Sequence, residues 1–122
     1  MAKNQVIGKA KVKIDGVLYE TAGDTVLDPG GPSRTPVEGD YEEGAYQEGP
    51  VKPSKLEFNA LSKGSFSATA FGLITGATAT IEFDNGKSFV VRQAYSESRP
   101  SMGTSDGKAK CVLYGKAAEE VS

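Results

Sequence analysis

Residues 6–14 alternate between two kinds of side chain, which is the two-residue period of a half-buried β-strand. The pattern predicts an apolar face with Val6, Gly8, Ala10, Val12 and Ile14, and a basic face with Lys9, Lys11 and Lys13. The Asp15-Gly16 pair that follows is a strong signal for a two-residue hairpin turn. Such a turn would place Ile14 opposite Val17, Val12 opposite Tyr19 and Lys11 opposite Glu20.

The same alternation predicts further strands at residues 54–60, 77–84, 87–95 and 108–114. Between the first two of these, Ser62 or Ser65 could cap a short helix that ends near Ile74. Its apolar stripe would consist of Phe66, Ala70, Leu73 and Ile74. Residues 96–107 are expected to form a polar loop, and residues 117–122 a tail. In total we predict about six strands and one short helix.

The hairpin predicted at residues 77–95 has two possible registers. A two-residue turn at Asn85-Gly86 would mix polar and apolar side chains on both faces. A three-residue loop of residues 84–86, with Gly86 in a left-handed bulge, places Ile81 opposite Phe89 and Ala79 opposite Val91. We predict this bulged register because it makes one face apolar. The other face then carries Thr78, Thr80, Glu82, Ser88, Val90 and Arg92.

Residues 21–50 form a long arm of different composition. From Glu20 to Glu48 there are eight acidic residues and a single basic one, Arg34. The run of residues 28–32 contains two prolines and two glycines and is incompatible with regular structure. A loop of this length in a small domain is usually functional or disordered. We expect an arm that is mobile in the free subunit and becomes ordered on a partner.

Composition supports a single domain of residues 1–122 that is mainly β. Fifteen glycines and six prolines indicate many turns, and only 25 residues are Leu, Ile, Val or Phe. So thin a core is often completed by association with further copies of the chain. Fourteen basic and sixteen acidic residues give a net charge of −2, which argues against a dedicated DNA or membrane binder.

The sequence offers little chemistry. It has no histidine and one cysteine, Cys111, which excludes histidine-based triads, zinc clusters and internal disulfides. The run Asp40-Tyr41-Glu42-Glu43-Gly44 lacks the spacing and closing glutamate of a calcium loop. We therefore expect no catalytic residue, no metal site and no cofactor.

Four segments, taken in order, resemble the tail tube proteins of Mu-like contractile-tailed bacteriophages and prophages. They are residues 8–19, the run Tyr46-Gln47-Glu48-Gly49-Pro50-Val51-Lys52-Pro53, residues 76–92 and the closing strand from Asp106. The resemblance implies a small β-sandwich or barrel-like domain with one short α-helix and a long loop arm. It also implies hexameric rings that stack into the inner tube of a contractile tail, through which DNA is ejected.

The same resemblance implies the partners and the location of the chain. The chain would contact itself within and between rings, the tail sheath protein outside, and the baseplate and tail terminator at the ends. DNA would pass without specific binding, and the chain would bind no membrane. It would reside in the virion tail, and in the host cytoplasm during assembly. Two alternatives remain open: a type VI secretion or bacteriocin-like tube, and a monomeric β-sandwich binding module.

Two surfaces follow as expectations. Residues 8–19 and 78–92 would belong to the ring-forming sheet, and the polar face of the second hairpin would line the channel through Thr78, Thr80, Glu82, Ser88 and Arg92. Glu82 and Arg92 would cancel in charge and leave DNA little to grip. Contacts between subunits would join the lysines to the acidic arm, through Lys9, Lys11, Lys13, Glu38, Asp40, Tyr41, Glu42, Glu43 and Tyr46.

Overall fold

A computed structural model describes residues 4–121; residues 1–3 and 122 of the predicted domain lie outside it. The described chain is mainly β, as expected, but is divided into eleven short strands around one helix. The strands are β1 (Ala10–Ile14), β2 (Val17–Tyr19), β3 (Val26–Asp28), β4 (Arg34–Val37), β5 (Ala45–Glu48), β6 (Ser54–Leu61), β7 (Ala77–Phe83), β8 (Ser88–Ser96), β9 (Ser101–Met102), β10 (Lys108–Gly115) and β11 (Glu119–Glu120), and α1 spans Ala68–Gly72.

Two layers share one continuous strand order, β2-β1-β7-β8-β10-β6-β3, with β11 beside β8 and β9 beside β10. Strand β8 belongs to both layers. Its first half pairs with β7 and β11, and its end pairs with β10. Tyr95 lies opposite Tyr114 and Val90 opposite Glu119, so the same register holds on either side of residues 91–94. The chain from β10 to β11 therefore runs beside β8 as β8 crosses from one layer to the other. At this crossing, Gln93 takes a left-handed φ of 53°.

A second connection joins the layers at the end of β2. The Leu61 amide donates to the Glu20 carbonyl at 2.9 Å, and the Ala22 amide donates to the Asn59 carbonyl at 2.9 Å. The chain that follows β2 thus stops pairing with β1 and begins to pair with β6 at this point. The predicted pairing of Lys11 with Glu20 is wrong, because Glu20 has already turned away and its carboxylate contacts Lys63 Nζ at 2.7 Å.

Both predicted hairpin registers are confirmed. Ile14 lies opposite Val17, and Asp15 and Gly16 both have positive φ, as a two-residue type I′ turn requires. In the second hairpin Ile81 lies opposite Phe89, and the Phe83 amide donates to the Lys87 carbonyl at 2.8 Å. The loop is therefore three residues long, with Gly86 at φ 91°. Turn chemistry and face polarity together determined these registers.

The core lies between the layers. Phe58 and Phe71 meet Tyr19 in edge-to-face contacts with ring centroids 6.1 Å apart. The remaining buried residues alternate along the strands, with Val12, Ile14, Ala77, Ala79, Ile81, Val91 and Ala94 from one layer and Leu56, Ala60, Ala109, Cys111 and Leu113 from the other. Alanine and cysteine fill many of these positions, so the core is thin, as composition indicated.

The helix is shorter than predicted and begins later. Ser67 is its N-cap, accepting a hydrogen bond from the Ala70 amide at 3.1 Å, so the predicted caps Ser62 and Ser65 are wrong. Phe71 is its buried residue, whereas Leu73 is 73% exposed. A helix of five residues has room for one inward anchor. The aromatic cluster around Tyr19 selects Phe71 for that position.

The predicted first strand is also too long. Strand β7 ends at Phe83, opposite Ala10, so residues 6–9 have no strand beside them and Val6 is 79% exposed. The N-terminal segment instead contacts the turn at Asp84, whose carboxylate accepts a hydrogen bond of 2.9 Å from the Gly8 amide. Backbone hydrogen bonds from Gly8 and Lys9 hold the pKa of Asp84 below its usual value. The predicted tail and polar loop each contain a short strand, β11 and β9.

Gly115→Ala is expected to destabilise the fold. A Cβ at Gly115 would lie 2.5 Å from Val91 Cγ1 and 3.1 Å from the Arg92 carbonyl oxygen. We expect a loss of about 1–3 kcal/mol in the free energy of unfolding, measured by urea denaturation. Gly64→Ala is the matched control, because no atom lies within 4 Å of its added Cβ. Equal stability of the two variants would contradict the packing assigned to Gly115.

The thiol of Cys111 is expected to be unreactive in the folded protein. Cys111 is fully buried, and this burial raises the pKa of its thiol to about 12. Because the thiolate is the reactive form, labelling by iodoacetamide at pH 8 should be very slow in native buffer. It should become complete in urea at the same pH, which serves as the control. Rapid stoichiometric labelling of the native protein would show that the core opens readily.

Candidate assembly surfaces

The solvent side of the first layer forms one continuous polar face, here called the polar sheet face. The hairpins β1–β2 and β7–β8 lie side by side in this sheet through pairing of β1 with β7. All five residues expected on the channel lie on this side of β7 and β8: Thr78, Thr80, Glu82, Ser88 and Arg92. Glu82 lies opposite Ser88, and Thr80 lies opposite Val90.

Strands β1 and β11 add charges that sequence reasoning did not place there. Lys11 lies opposite Glu82 and Lys13 opposite Thr80. At the other edge Glu119 lies opposite Val90, and its Oε2 contacts Arg92 Nε at 3.5 Å. Arg92 is therefore paired with Glu119 and not balanced by Glu82 alone. The polar sheet face carries three cations and two carboxylates on β1, β7, β8 and β11.

This placement brings the two expected surfaces together. Lys11 and Lys13 were expected to contact the acidic arm, and Glu82 and Arg92 to line the channel. All four side chains lie on the solvent side of one sheet. A polymer that turns this sheet inward also turns these lysines inward. Lys9 lies just before β1, where its carbonyl accepts the Asp84 amide at 3.0 Å.

The arm divides into two parts. Its first part belongs to the sheet, since β3 pairs with β6 and places Leu27 opposite Leu56. Its second part is a separate hairpin of β4 and β5, in which every residue is exposed. The remaining residues predicted for subunit contacts lie on this hairpin: Glu38, Asp40, Tyr41, Glu42 and Glu43 between the strands, and Tyr46 on β5. Tyr41 is fully exposed.

Hydrogen bonds fix the base of this hairpin. Gly31 and Lys52 exchange two backbone hydrogen bonds, of 2.9 and 2.8 Å. Ser33 Oγ donates to the Pro50 carbonyl at 2.7 Å. A Cβ at Gly30, where φ is 70°, would lie 2.6 Å from the Lys52 carbonyl oxygen, so this close approach requires glycine. The hairpin thus projects from a well-defined base, although it has no core of its own.

Two side-chain contacts join β4 to β5. Arg34 Nε lies 3.4 Å from Glu48 Oε1, and the Arg34 guanidinium lies 5.5 Å from the centre of the Tyr46 ring. Both contacts are exposed, so each contributes at most about 1 kcal/mol. In the sequence, the only hint of these contacts is that Arg34 is the one basic residue in an acidic segment. Its partners follow from the strand pairing, which places Arg34 opposite Glu48.

The solvent side of the second layer carries a different network. Tyr114 Oη donates to Glu97 Oε2 at 2.7 Å, and this hydrogen bond raises the pKa of the tyrosine. Lys55 Nζ contacts Glu57 Oε1 at 2.8 Å and lies 5.8 Å from the centre of the Tyr114 ring. Charges here are largely paired within one subunit. This surface and the polar sheet face lie on opposite sides of the core.

The described residues contain no cluster of three or more carboxylate, thiol or imidazole groups suited to a metal ion. Within the same range, none of the helices has the length and apolarity to cross a membrane. A groove of about 840 Å³ runs between the start of β1 and residues 21–24, and it is open to solvent. The extended surfaces, rather than a concave site, are the notable features.

Comparison with known proteins identifies the kind of assembly. The family described as phage tail tube protein matches residues 3–120, which is nearly the whole chain. No curated protein matches the sequence. The chain therefore belongs to the phage tail tube protein family, a family of structural virion proteins.

Proposed function

We propose that this member of the phage tail tube family assembles into hexameric rings that stack as the inner tube of a contractile, Mu-like tail. The family match over residues 3–120 carries this proposal. The open edge strand β2 and the exposed arm provide surfaces through which copies of the chain can associate. The chain is not an enzyme and needs no cofactor. It works as a conduit for DNA ejection.

The polar sheet face lines the channel in this proposal. Its hydroxyl groups offer DNA weak contacts, and its carboxylates lie beside its cations. Each phosphate held by a fixed cation would slow passage of DNA. The proximity of Glu82 to Lys11 and of Glu119 to Arg92 keeps the local positive potential low, while Lys13 lies between the uncharged Thr80 and Leu18.

Other tail proteins contact the remaining surfaces. The network around Tyr114 faces the opposite side and is the surface offered to the sheath protein. The ends of the tube contact the baseplate and the tail terminator. The chain accordingly resides in the virion tail and, before assembly, in the host cytoplasm. DNA passes without specific binding, and the chain binds no membrane.

Negative-stain microscopy of native particles, with an antibody against this chain, tests the proposal. The antibody should mark a tube about as long as the tail, most clearly where the sheath has contracted. A location confined to the capsid or baseplate would refute the proposal. A free tube without a capsid would instead support a bacteriocin-like or type VI particle.

Removal of the hairpin should prevent rings from stacking. Because β3 belongs to the core sheet, the deletion must be confined to residues 34–48, with Asn-Gly joining Ser33 to Gly49. We expect an unchanged melting temperature, because every deleted residue of β4 and β5 is exposed, and a loss of tubes in particle preparations. Normal tubes from the shortened chain would contradict a role for the arm in stacking.

Glu82→Lys should impair DNA delivery by tails of normal appearance. The change removes the carboxylate opposite Lys11 and makes the polar sheet face strongly positive. Glu120→Lys is the matched control, since it makes the same charge change on the other side of β11, beside Lys87. Infectivity should fall for Glu82→Lys and remain near that of the wild type for Glu120→Lys. Equal infectivity of the two variants would contradict the channel assignment.

A further inference from the structure

The backbone of the hairpin has two free edges, and they are not equivalent. In an antiparallel ladder, pairs that exchange hydrogen bonds alternate with pairs whose N–H and C=O groups point outward. The Gly49 amide donates to the Ser33 carbonyl at 2.7 Å, so Ser33 and Gly49 form a hydrogen-bonded pair. The next pair, Arg34 with Glu48, therefore directs its backbone groups outward, as does Pro36 with Tyr46.

Prolines block the outer edge of β4. The outward positions on this side are Pro32, Arg34 and Pro36, where Pro32 precedes the strand and follows the inward-bonded Gly31. Proline has no amide hydrogen, so the Arg34 amide is a lone donor between two positions that lack one. Proline on an edge strand is a common means of preventing strand addition.

The outer edge of β5 is open along the strand itself, and Pro50 takes the next outward position beyond the strand, as Pro32 does before β4. Its outward positions within the strand are Tyr46 and Glu48, and both retain an amide hydrogen and a carbonyl oxygen. These groups are spaced as a pairing strand requires. The sequence thus protects one edge of the hairpin and leaves the other competent to pair.

A second copy of the chain offers an unprotected edge at β2. Ile14 and Val17 close the two-residue turn as a hydrogen-bonded pair, so the next pair, Lys13 with Leu18, directs the backbone groups of Leu18 outward. Val17 is 60% exposed and Leu18 is 53% exposed, and β2 contains no proline or lysine. The other terminal strand, β3, is followed directly by Pro29.

Charge favours the same contact. Strand β1 lies directly beside β2 and carries Lys11 and Lys13. A strand added to β2 would lie two inter-strand spacings, roughly 10 Å, from these lysines. That distance is about one Debye length at physiological ionic strength, so the acidic arm would still be attracted to β1.

We propose that the arm of one subunit adds the open edge of β5 to β2 of another subunit, while Pro32 and Pro36 keep β4 from pairing. This inference rests on the proposed function, since it names the contact by which the tube subunits associate. Main-chain hydrogen bonds supply the attraction, as in other cases of β-strand addition. Strand β4 stays paired with the inner edge of β5, and the Arg34–Glu48 ion pair also joins the two strands.

Two proline substitutions separate the edges. Glu48→Pro removes an outward amide hydrogen from β5, and Arg34→Pro removes one from β4. Both changes break the same ion pair and leave the hydrogen-bonded pairs of the hairpin intact. Leu18→Pro removes the outward amide hydrogen of β2 in the same manner. The full-length variants replace the wild-type chain in cells that make the native particle, and tubes are counted by negative-stain microscopy.

We expect loss of tubes with Glu48→Pro and with Leu18→Pro, and normal tubes with Arg34→Pro. Melting temperatures equal to that of the wild type verify that each chain folds. If the Glu48→Pro chain does not fold, Tyr46→Pro takes its place, because Tyr46 is the other outward position of β5. Normal tubes with Glu48→Pro, or equal loss with Arg34→Pro, would overturn the assignment of the β5 edge. Normal tubes with Leu18→Pro would overturn the assignment of β2. A wild-type chain located outside any tube would instead refute the proposed function.

Discussion

Strand β8 is the element on which the rest of the structure depends. Its first half lies between β7 and β11, and its end pairs with β10, so a single strand carries the hydrogen bonds of both layers. The layers enclose a core in which alanine and cysteine occupy many positions. So thin a core yields limited hydrophobic stabilisation. The pairing of β8 with strands of both layers fixes how the layers meet, and Gly115 allows β10 to approach Val91 and Arg92 closely.

This arrangement places the surfaces as well as the core. Along the first half of β8, Val91 points into the core, while Arg92 is exposed and Ser88 lies opposite Glu82 on the solvent side. The pairing of β1 with β7 then extends the same solvent face as far as Lys11 and Lys13. The polar sheet face is thus a product of the register. A slip of one residue would exchange it with the core.

Local signals in the sequence predicted the parts of the fold that depend on neighbouring residues. The turns at Asp15-Gly16 and at residues 84–86 fixed two hairpin registers, because only certain residues adopt positive φ without strain. Positions that depend on distant partners were not predictable. Glu119 joins Arg92 only because β11 follows β8, and Phe71 is buried only because Tyr19 and Phe58 form a pocket for its ring. The arm was recognised by its composition, but its division between sheet and hairpin depends on pairing with β6.

The absence of buried residues from β4 and β5 has an evolutionary consequence. Substitutions on the hairpin leave the folding free energy of the subunit almost unchanged, so under the role proposed for the arm, selection on this segment acts through assembly. Substitutions along β8 affect folding first. Sequence drift can therefore alter which subunits are compatible with one another long before it endangers the fold, and two descendants of one ancestor can cease to form mixed polymers while each remains stable by itself.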